Sequence, residues 1–556
     1  MSQAEEGNLW WKNAVVYCLD VETFYDSDGD GVGDFAGLHE QIDYLAELGV
    51  TCLWLMPFYP SPNTDDGYDI SDYYGVDPRF GTLGNLVEVI RAANNRGLRV
   101  IADLVVNHTS AEHPWFQAAR SSKDSPYRDY YVWRSDPPPD TSAEVSFPDQ
   151  ENSLWELDEQ TGEWYFHRFY KQQPDLNISN PKVRDAISTM IGFWLQLGLS
   201  GFRVDAVPFL IETRGLDSES LSDFGQPHDY LRSLRAFLNQ RNGESVLLGE
   251  VNLPFDTQVE FFGTTGDELS MMFDFVGMQN LYLSLARADV EPLVNALSAR
   301  PAIPLKSQWA TFVRNHDELT LDKLPPSQRQ EVFDAFGPDP EMQIYGRGLK
   351  RRLPPMLGGE PARIRMVYSL LFSLPGTPVL FYGEEIGMGE NLKAEGRLAV
   401  RTPMQWTPEP NGGFSTAPAD QLTKAMGDGG FGPAEVNVLS QRHDPDSLLS
   451  FMRTLAHRYR DCPELGWGEF AVVDQPDRST LVHTCTWEGR TVLAVHNFGA
   501  EPVSLVFELP GHEGDVLHDL FGGASCAVSQ AGRVKLALDG YGYHWFRPSG
   551  STDRLI

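Results

Sequence analysis

The chain has 556 residues, 41% of them hydrophobic and 22% charged. That is apolar enough to form packed cores and long enough to need either a large barrel or more than one unit. Forty-four Lys and Arg against 78 Asp and Glu leave a net charge of −34, which repels phosphate backbones and anionic headgroups and excludes nucleic acid and membranes as expected partners.

The opening MSQAEEGNLWWKNAVVYCLD lacks the basic region and uninterrupted apolar run of a secretory leader. The longest apolar stretch, 366–382, is broken by Pro375, Gly376 and Pro378, so no membrane span is expected. Cys18, Cys52, Cys462, Cys485 and Cys526 are scattered, without CxxC spacing. They read as reduced, buried thiols of a cytoplasmic protein.

A first strand at 15–19 leads into a loop with Asp26, Asp28, Asp30, Val32 and Asp34 separated by Ser and Gly. Alternating carboxylates around a glycine turn, with the Val32 carbonyl, offer hard oxygen ligands, so Ca2+ is expected there, with Mg2+ as the alternative. An EF-hand is excluded because its twelfth position is Gly37, not Glu. Next come a helix through Leu38, Ile42 and Leu45 closed at Gly49, a strand at 52–56, a helix through Leu86, Val89 and Ile90 closed at Gly97, and a strand at 99–106.

The pattern lapses over 109–180 into a Pro-, Asp- and Ser-rich, aromatic-studded segment too long for a loop, and a small inserted domain is expected. Asn180 and Pro181 then open a helix through Val183, Ile187, Ile191 and Trp194 that closes at Gly198. Strands at 202–207, 246–251, 271–275, 311–313 and 379–382 bring the total to eight. Strands alternating with helices imply parallel pairing with right-handed crossovers. The Pro/Gly stretch 407–432 reads as an ordered loop, and from 463 a period-two alternation (Val492, Ala494, His496; Val503, Leu505, Phe507) marks a β-domain. The expected fold is α/β, a (β/α)8 TIM barrel over 1–108 and 181–462, with an inserted domain at 109–180 after strand three and a C-terminal antiparallel β-sandwich domain at 463–556.

Barrel enzymes place their chemistry at the C-terminal strand ends. Four such ends carry polar clusters: Asp103/Asn107/His108, Arg203/Asp205, Glu250/Asn252 and Arg314/Asn315/His316/Asp317/Glu318. Carboxylates on strands four, five and seven suit glycosidic bond cleavage, in which one acid protonates the leaving oxygen while another carboxylate attacks or stabilises the anomeric carbon. Retention needs two of them within about 5–5.5 Å, which adjacent strands about 4.8 Å apart allow.

The motifs DLVVNH (103–108), GFRVDA (201–206), Glu250 in LLGEVN, NHDE (315–318) and QPDLN (173–177) resemble the signature regions of the α-amylase family, glycoside hydrolase family 13, in order and spacing. The resemblance makes Asp205 the nucleophile that forms a β-glucosyl-enzyme, Glu250 the general acid and then base, and Asp317 the transition-state stabiliser. It makes Arg203 the partner that orients Asp205, and His108 and His316 donors to sugar hydroxyls, with Asn252 and Glu318 in the same pocket. Asp65 and Tyr68 in NTDDGYDI match residues that hold the terminal glucose, and Arg401 in VRTPMQW matches the arginine that pairs with Asp65. Closing one end of the cleft in this way implies exo-action on one glucose unit.

RNHDELTL (314–321), DAVPFL and GEEIGMG resemble the trehalose synthase branch. This implies isomerisation of maltose to trehalose, with α-glucosidase or transglucosylase action on small α-glucosides as the alternative. The branch also implies a second metal site at Asn107, Asp175 and Glu212, and a homo-oligomer. Three departures stand out: Phe209 where the branch carries Tyr, CLDVETFYDS where the family favours an arginine near Thr23, and AEGRLAV where it usually has GDRDGV. An interaction subunit that has lost its catalytic carboxylates is the non-enzymatic alternative; Asp205, Glu250 and Asp317 argue against it.

Overall fold

Runs such as VYCL and CLWL are buried along their whole length. Continuous burial of β-branched, aromatic and leucine side chains is the mark of a parallel strand covered by helices on one face and filled side chains on the other. The structure, a computed structural model, describes residues 9–212 and 226–550.

Eight such strands close into a parallel barrel: β1 Val16–Leu19, β2 Cys52–Leu55, β3 Arg99–Leu104, β4 Gly201–Val204, β5 Val246–Gly249, β6 Met271–Phe273, β7 Gln308–Thr311 and β8 Thr377–Phe381. Each pairs with its neighbour in sequence, and β8 returns to β1 through Val16↔Val379. The glycines expected to stop two of the helices do so, Gly49 and Gly198 capping at φ 94 and 112, a region open to glycine at little cost. Asn180 caps the helix Pro181–Leu197 by accepting from Lys182 N.

Two strands differ most from expectation. The seventh lies at Gln308–Thr311 instead of 311–313. Gln308 looks like a loop residue, but its buried side-chain amide donates to the Lys12 and Gly466 carbonyls, which satisfies it inside the barrel. Asp317 therefore stands on a loop well past its strand. The fourth stops at Val204, since Ala206 takes the left-handed conformation (φ 47, ψ 42) and a short helix, Val207–Leu210, begins at once. A non-glycine residue held there stores about 1–2 kcal/mol, and it sits beside the carboxylate read as the nucleophile.

Between β3 and the Pro181–Leu197 helix, the strands Trp133–Arg134, Trp155–Asp158 and Glu163–Phe166 form a small antiparallel sheet. Its return path is stitched to the segment just after β3 by the bridge His108↔Asp175 and to its own outgoing path by Tyr131↔Leu176, which brings the inserted segment over the barrel mouth. From Glu469 onward the chain forms antiparallel sheets of six and two strands. They share a core of Val482, Leu493, Leu505, Val534 and Phe546, while Leu481, Val492 and Trp545 on the other face join the barrel core.

Candidate active site

The barrel register builds the centre of the site. Asp103 on β3 lies opposite Arg203 on β4, and Val204 lies opposite Gly249 on β5. Asp205 and Glu250, each one residue past its strand, are therefore cross-strand neighbours. Arg203 faces the same way as Asp205, two residues on. Its Nη1 donates to Asp103 Oδ1 and Asp205 Oδ1, and its Nη2 to Glu250 Oε2, each at 2.6 Å. One buried guanidinium thus clamps both carboxylates on adjacent nitrogens, a separation compatible with the retaining spacing. Trp54 Nε1 completes the shell of Asp103 at 3.0 Å.

Burial raises the Glu250 carboxyl to about 7, with Asp205 and Asp317 adding to the rise and Arg203 opposing it. Burial is the larger cause and carboxylate crowding the smaller. Asp205 is raised less, to about 6, by burial and by Asp103 and Asp317 against Arg203. The last proton of the pair therefore sits on Glu250, leaving Asp205 the ionised partner.

Asp317 goes the other way. Burial would raise it, but Arg397 and Arg401 hold it well below the ordinary carboxylate range; Arg397 Nη1 lies at 2.7 Å and Arg401 Nη2 at 3.0 Å. His316 approaches Asp317 at 3.1 Å, and burial keeps its ring neutral. Its Nδ1 is buried without a partner. A stranded acceptor there costs less than a stranded N–H, so the proton belongs on Nε2, which faces Tyr68 Oη at 2.7 Å as well as Asp317.

Asp65, Tyr68, His108, Asp205, Glu250, Asn252, Asp317 and Glu318 all line one cavity of about 460 Å³. Arg203, His316 and Arg401 stand behind its wall, each 1% exposed, and orient the lining groups from there. Tyr68 and His316 are parallel, with ring centroids 5.7 Å apart. His108 Nε2 meets the Tyr68 carbonyl at 3.1 Å. Asn252 donates to Asp322 at 3.1 Å, and Arg347 reaches Glu318 at 3.4 Å. Phe209 stands at the rim, edge-on to Phe169 and under the Arg168 guanidinium.

One assignment is corrected. The arginine that pairs with Asp65 is Arg397, whose Nη2 lies at 2.7 Å; Arg401 instead binds Asp66 at 2.6 Å. Arg397 lies within the short 3-10 turn Gly396–Val400 and Arg401 caps it, and both reach Asp317. Arg397 lies in AEGRLAV, the stretch read as a departure, and its position four residues before Arg401 was the available signal. Gln173 of QPDLN, which received no role from sequence, donates to Asp65 Oδ2 at 2.9 Å. Asp65 and Arg397 also line a second, polar cavity of about 1010 Å³. Their ion pair is the partition between the two spaces.

In the loop after β1, carboxylate oxygens of Asp26, Asp28 and Asp34 lie within 4.8 Å of one another. Burial and the neighbouring Asp30 charge raise the Asp28 carboxyl. Asp30 turns back to accept from Val32 N at 2.9 Å. The group read as a second metal site is built otherwise: Arg168 pairs with Glu212 through its guanidinium and donates its backbone N–H to Asp175 at 3.0 Å. Asn107 and Glu212 both adjoin the Asp175 carboxyl, which burial raises to about 7.

The family model described as "Alpha amylase, catalytic domain" matches residues 20–323 and 350–467. The chain belongs to the α-amylase family. A sucrose hydrolase-like C-terminal domain model matches residues 489–547. The chain is 41% identical over 547 residues to a trehalose synthase/amylase of Mycobacterium tuberculosis, covering 97% of this chain and 90% of that protein. It is 30% identical over 563 residues to an oligo-1,6-glucosidase of Parageobacillus thermoglucosidasius, covering 91% and 92%. Among solved structures, the trehalulose synthase of Pseudomonas mesoacidophila superposes with a TM-score of 0.75 at 29% identity, over 97% of this chain and 99% of that one. An α-amylase-family barrel with the three carboxylates gathered in one cavity is an enzyme architecture, and no described helix is long and apolar enough to cross a membrane.

Proposed function

We propose that the protein is a retaining α-glucosyl enzyme that isomerises maltose to trehalose. The observation that carries this is the Arg203 clamp, which holds Asp205 and Glu250 side by side while burial leaves the proton on Glu250. Asp205 attacks the anomeric carbon of the non-reducing glucose as Glu250 protonates the glycosidic oxygen. The freed glucose turns within the pocket, and Glu250, now a base, takes the proton from its anomeric hydroxyl as that oxygen displaces Asp205. Asp317, kept anionic by Arg397 and Arg401, accepts from sugar hydroxyls and stabilises the oxocarbenium-like transition state. Asp65, Tyr68 and His108 hold the glucose whose bond is cut.

The trehalose synthase relatives at 41% identity support the isomerase over simple hydrolysis. The second reading, an α-glucosidase, has the oligo-1,6-glucosidase likeness behind it. Incubation with maltose separates them: trehalose with little glucose is expected, and glucose alone would establish the hydrolase. Asp205→Asn should lower either activity by about 10⁴-fold or more with an unchanged circular dichroism spectrum.

Ca2+, with Mg2+ as the alternative, is proposed for the loop after β1. Three hard carboxylates converging within 4.8 Å suit such an ion, which would tie the loop together at a distance from the sugar chemistry. Chelation is expected to lower the melting temperature, and Asp28→Asn to make the protein insensitive to chelator.

A further inference from the structure

A second cluster of carboxylates, Asp20, Glu22 and Asp66, has oxygens within 4.8 Å of one another. The cation between them is a side chain. Lys424 reaches in from the long loop after β8 and places Nζ at 2.7 Å from Asp66, 2.8 Å from Asp20 and 3.2 Å from Glu22, with its own side chain only 8% exposed. Asp66 is the junction. It is a non-glycine residue in the left-handed region (φ 51), one of its oxygens bound to Lys424 and the other to Arg401 at 2.6 Å. Arg401 in turn holds Asp317. Arg79 neutralises Glu22 from the far side at 3.0 Å and is shared with Asp77, and Asp66 divides its two oxygens between Lys424 and Arg401.

We propose that Lys424 is a positioning residue for glucosyl transfer, fixing Asp66 so that Arg401 presents Asp317 to the anomeric centre. Without the ammonium, three buried carboxylates face one another, Asp66 leaves its position, and Arg401 is drawn toward the unneutralised cluster and away from Asp317. The inference rests on the role given to Asp317 above.

The test is Lys424→Met, assayed with 4-nitrophenyl α-glucoside and with maltose. A fall in kcat by about 10- to 30-fold, with KM changed far less, is expected. In Lys424→Ala, which leaves the space open, ethylammonium should restore part of the loss, as should Mn2+, which the three carboxylates would now ligate, and neither should stimulate the unsubstituted enzyme. A folded Lys424→Met protein with the original kcat would overturn the proposal, as would a Lys424→Ala loss that neither cation relieves. If Lys424→Met does not accumulate in folded form, Glu22→Gln/Lys424→Met, which removes one carboxylate with the cation, carries the same kcat comparison. Asp317→Asn is run alongside: an active Asp317→Asn enzyme would refute the reading of the site, whereas a dead one beside a fully active Lys424→Met enzyme refutes only the role of Lys424.

Discussion

A single guanidinium, that of Arg203, holds two adjacent acids together and opposes the burial that raises both. Both are raised by burial, Asp205 to about 6 and Glu250 to about 7. Transfer needs Asp205 ionised and Glu250 protonated. Activity should therefore fall below about 6 as Asp205 takes up a proton, and above about 7 as Glu250 loses one. The expected kcat/KM profile for maltose is a narrow bell peaking between those values. Glu250→Gln, assayed with a donor whose leaving group needs no protonation, should lose the alkaline limb; a flat profile across the interval would contradict the proton placement. The carboxylates and Arg203 were legible in the sequence because each sits in a short contiguous motif at or just beyond a barrel strand. Arg397 was not. Which of two arginines four residues apart takes Asp65 depends on the direction of a single turn, which spacing does not reveal. Lys424 was less visible still, since its partner Asp20 lies 404 residues away.

Elements with continuous hydrophobic runs and glycine stops appeared in the structure near their expected positions, with β4 and β7 as the main exceptions. The β7 strand was displaced in the reading because a polar residue, Gln308, is satisfied by backbone groups at the barrel floor, a tertiary fact absent from local sequence. The loops were the least legible elements, and they set the reaction's outcome. The turn Gly396–Val400 holds Arg397 across the end of the sugar pocket, stacked on Phe147, with a larger polar cavity directly behind. A glucosyl-enzyme survives long enough to meet the turned glucose only if water is kept out. Arg397→Ala opens that partition and leaves Asp65 buried without its cation, a loss of about 3–5 kcal/mol in comparable buried pairs. Total turnover should fall, and the glucose share of the products should rise several-fold over trehalose when measured from maltose in ¹⁸O water, with the label entering the released glucose. Equal loss of both products would show that the pair serves binding alone.

At the scale of the whole molecule, the C-terminal sheet packs against the barrel through neutral histidines. His483 Nε2 meets the Ser373 carbonyl at 2.9 Å, and His496 Nε2 meets Ser369 Oγ at 2.9 Å; Trp545 also donates to Ser369 Oγ at 3.0 Å. Both serines lie on the helix Pro361–Ser373, which covers the barrel. Burial pushes His483 down to about 4 and His496 well below the ordinary histidine value. Neither can be protonated in place, while both take up protons near 6.5 once unfolded. The unfolded state therefore binds more protons as pH falls below about 6.5, and the folded state loses stability in that direction, by up to about 1.4 kcal/mol per pH unit for each histidine. The contribution of His483 levels off once pH drops below about 4, and that of His496 continues further. Urea midpoints measured between pH 7 and pH 5 should fall with this slope. His483→Gln/His496→Gln removes two of the titrating groups and should make the slope shallower, with the remainder left to the buried His108, His113, His167 and His316, at the cost of a lower midpoint at pH 7 from poorer packing. A double variant as acid-sensitive as the original would move the cause from this interface to the buried carboxylates. Among these, Asp317 and Asp66 are held below the ordinary carboxylate range by the cations around them, so they too lose stability as pH falls.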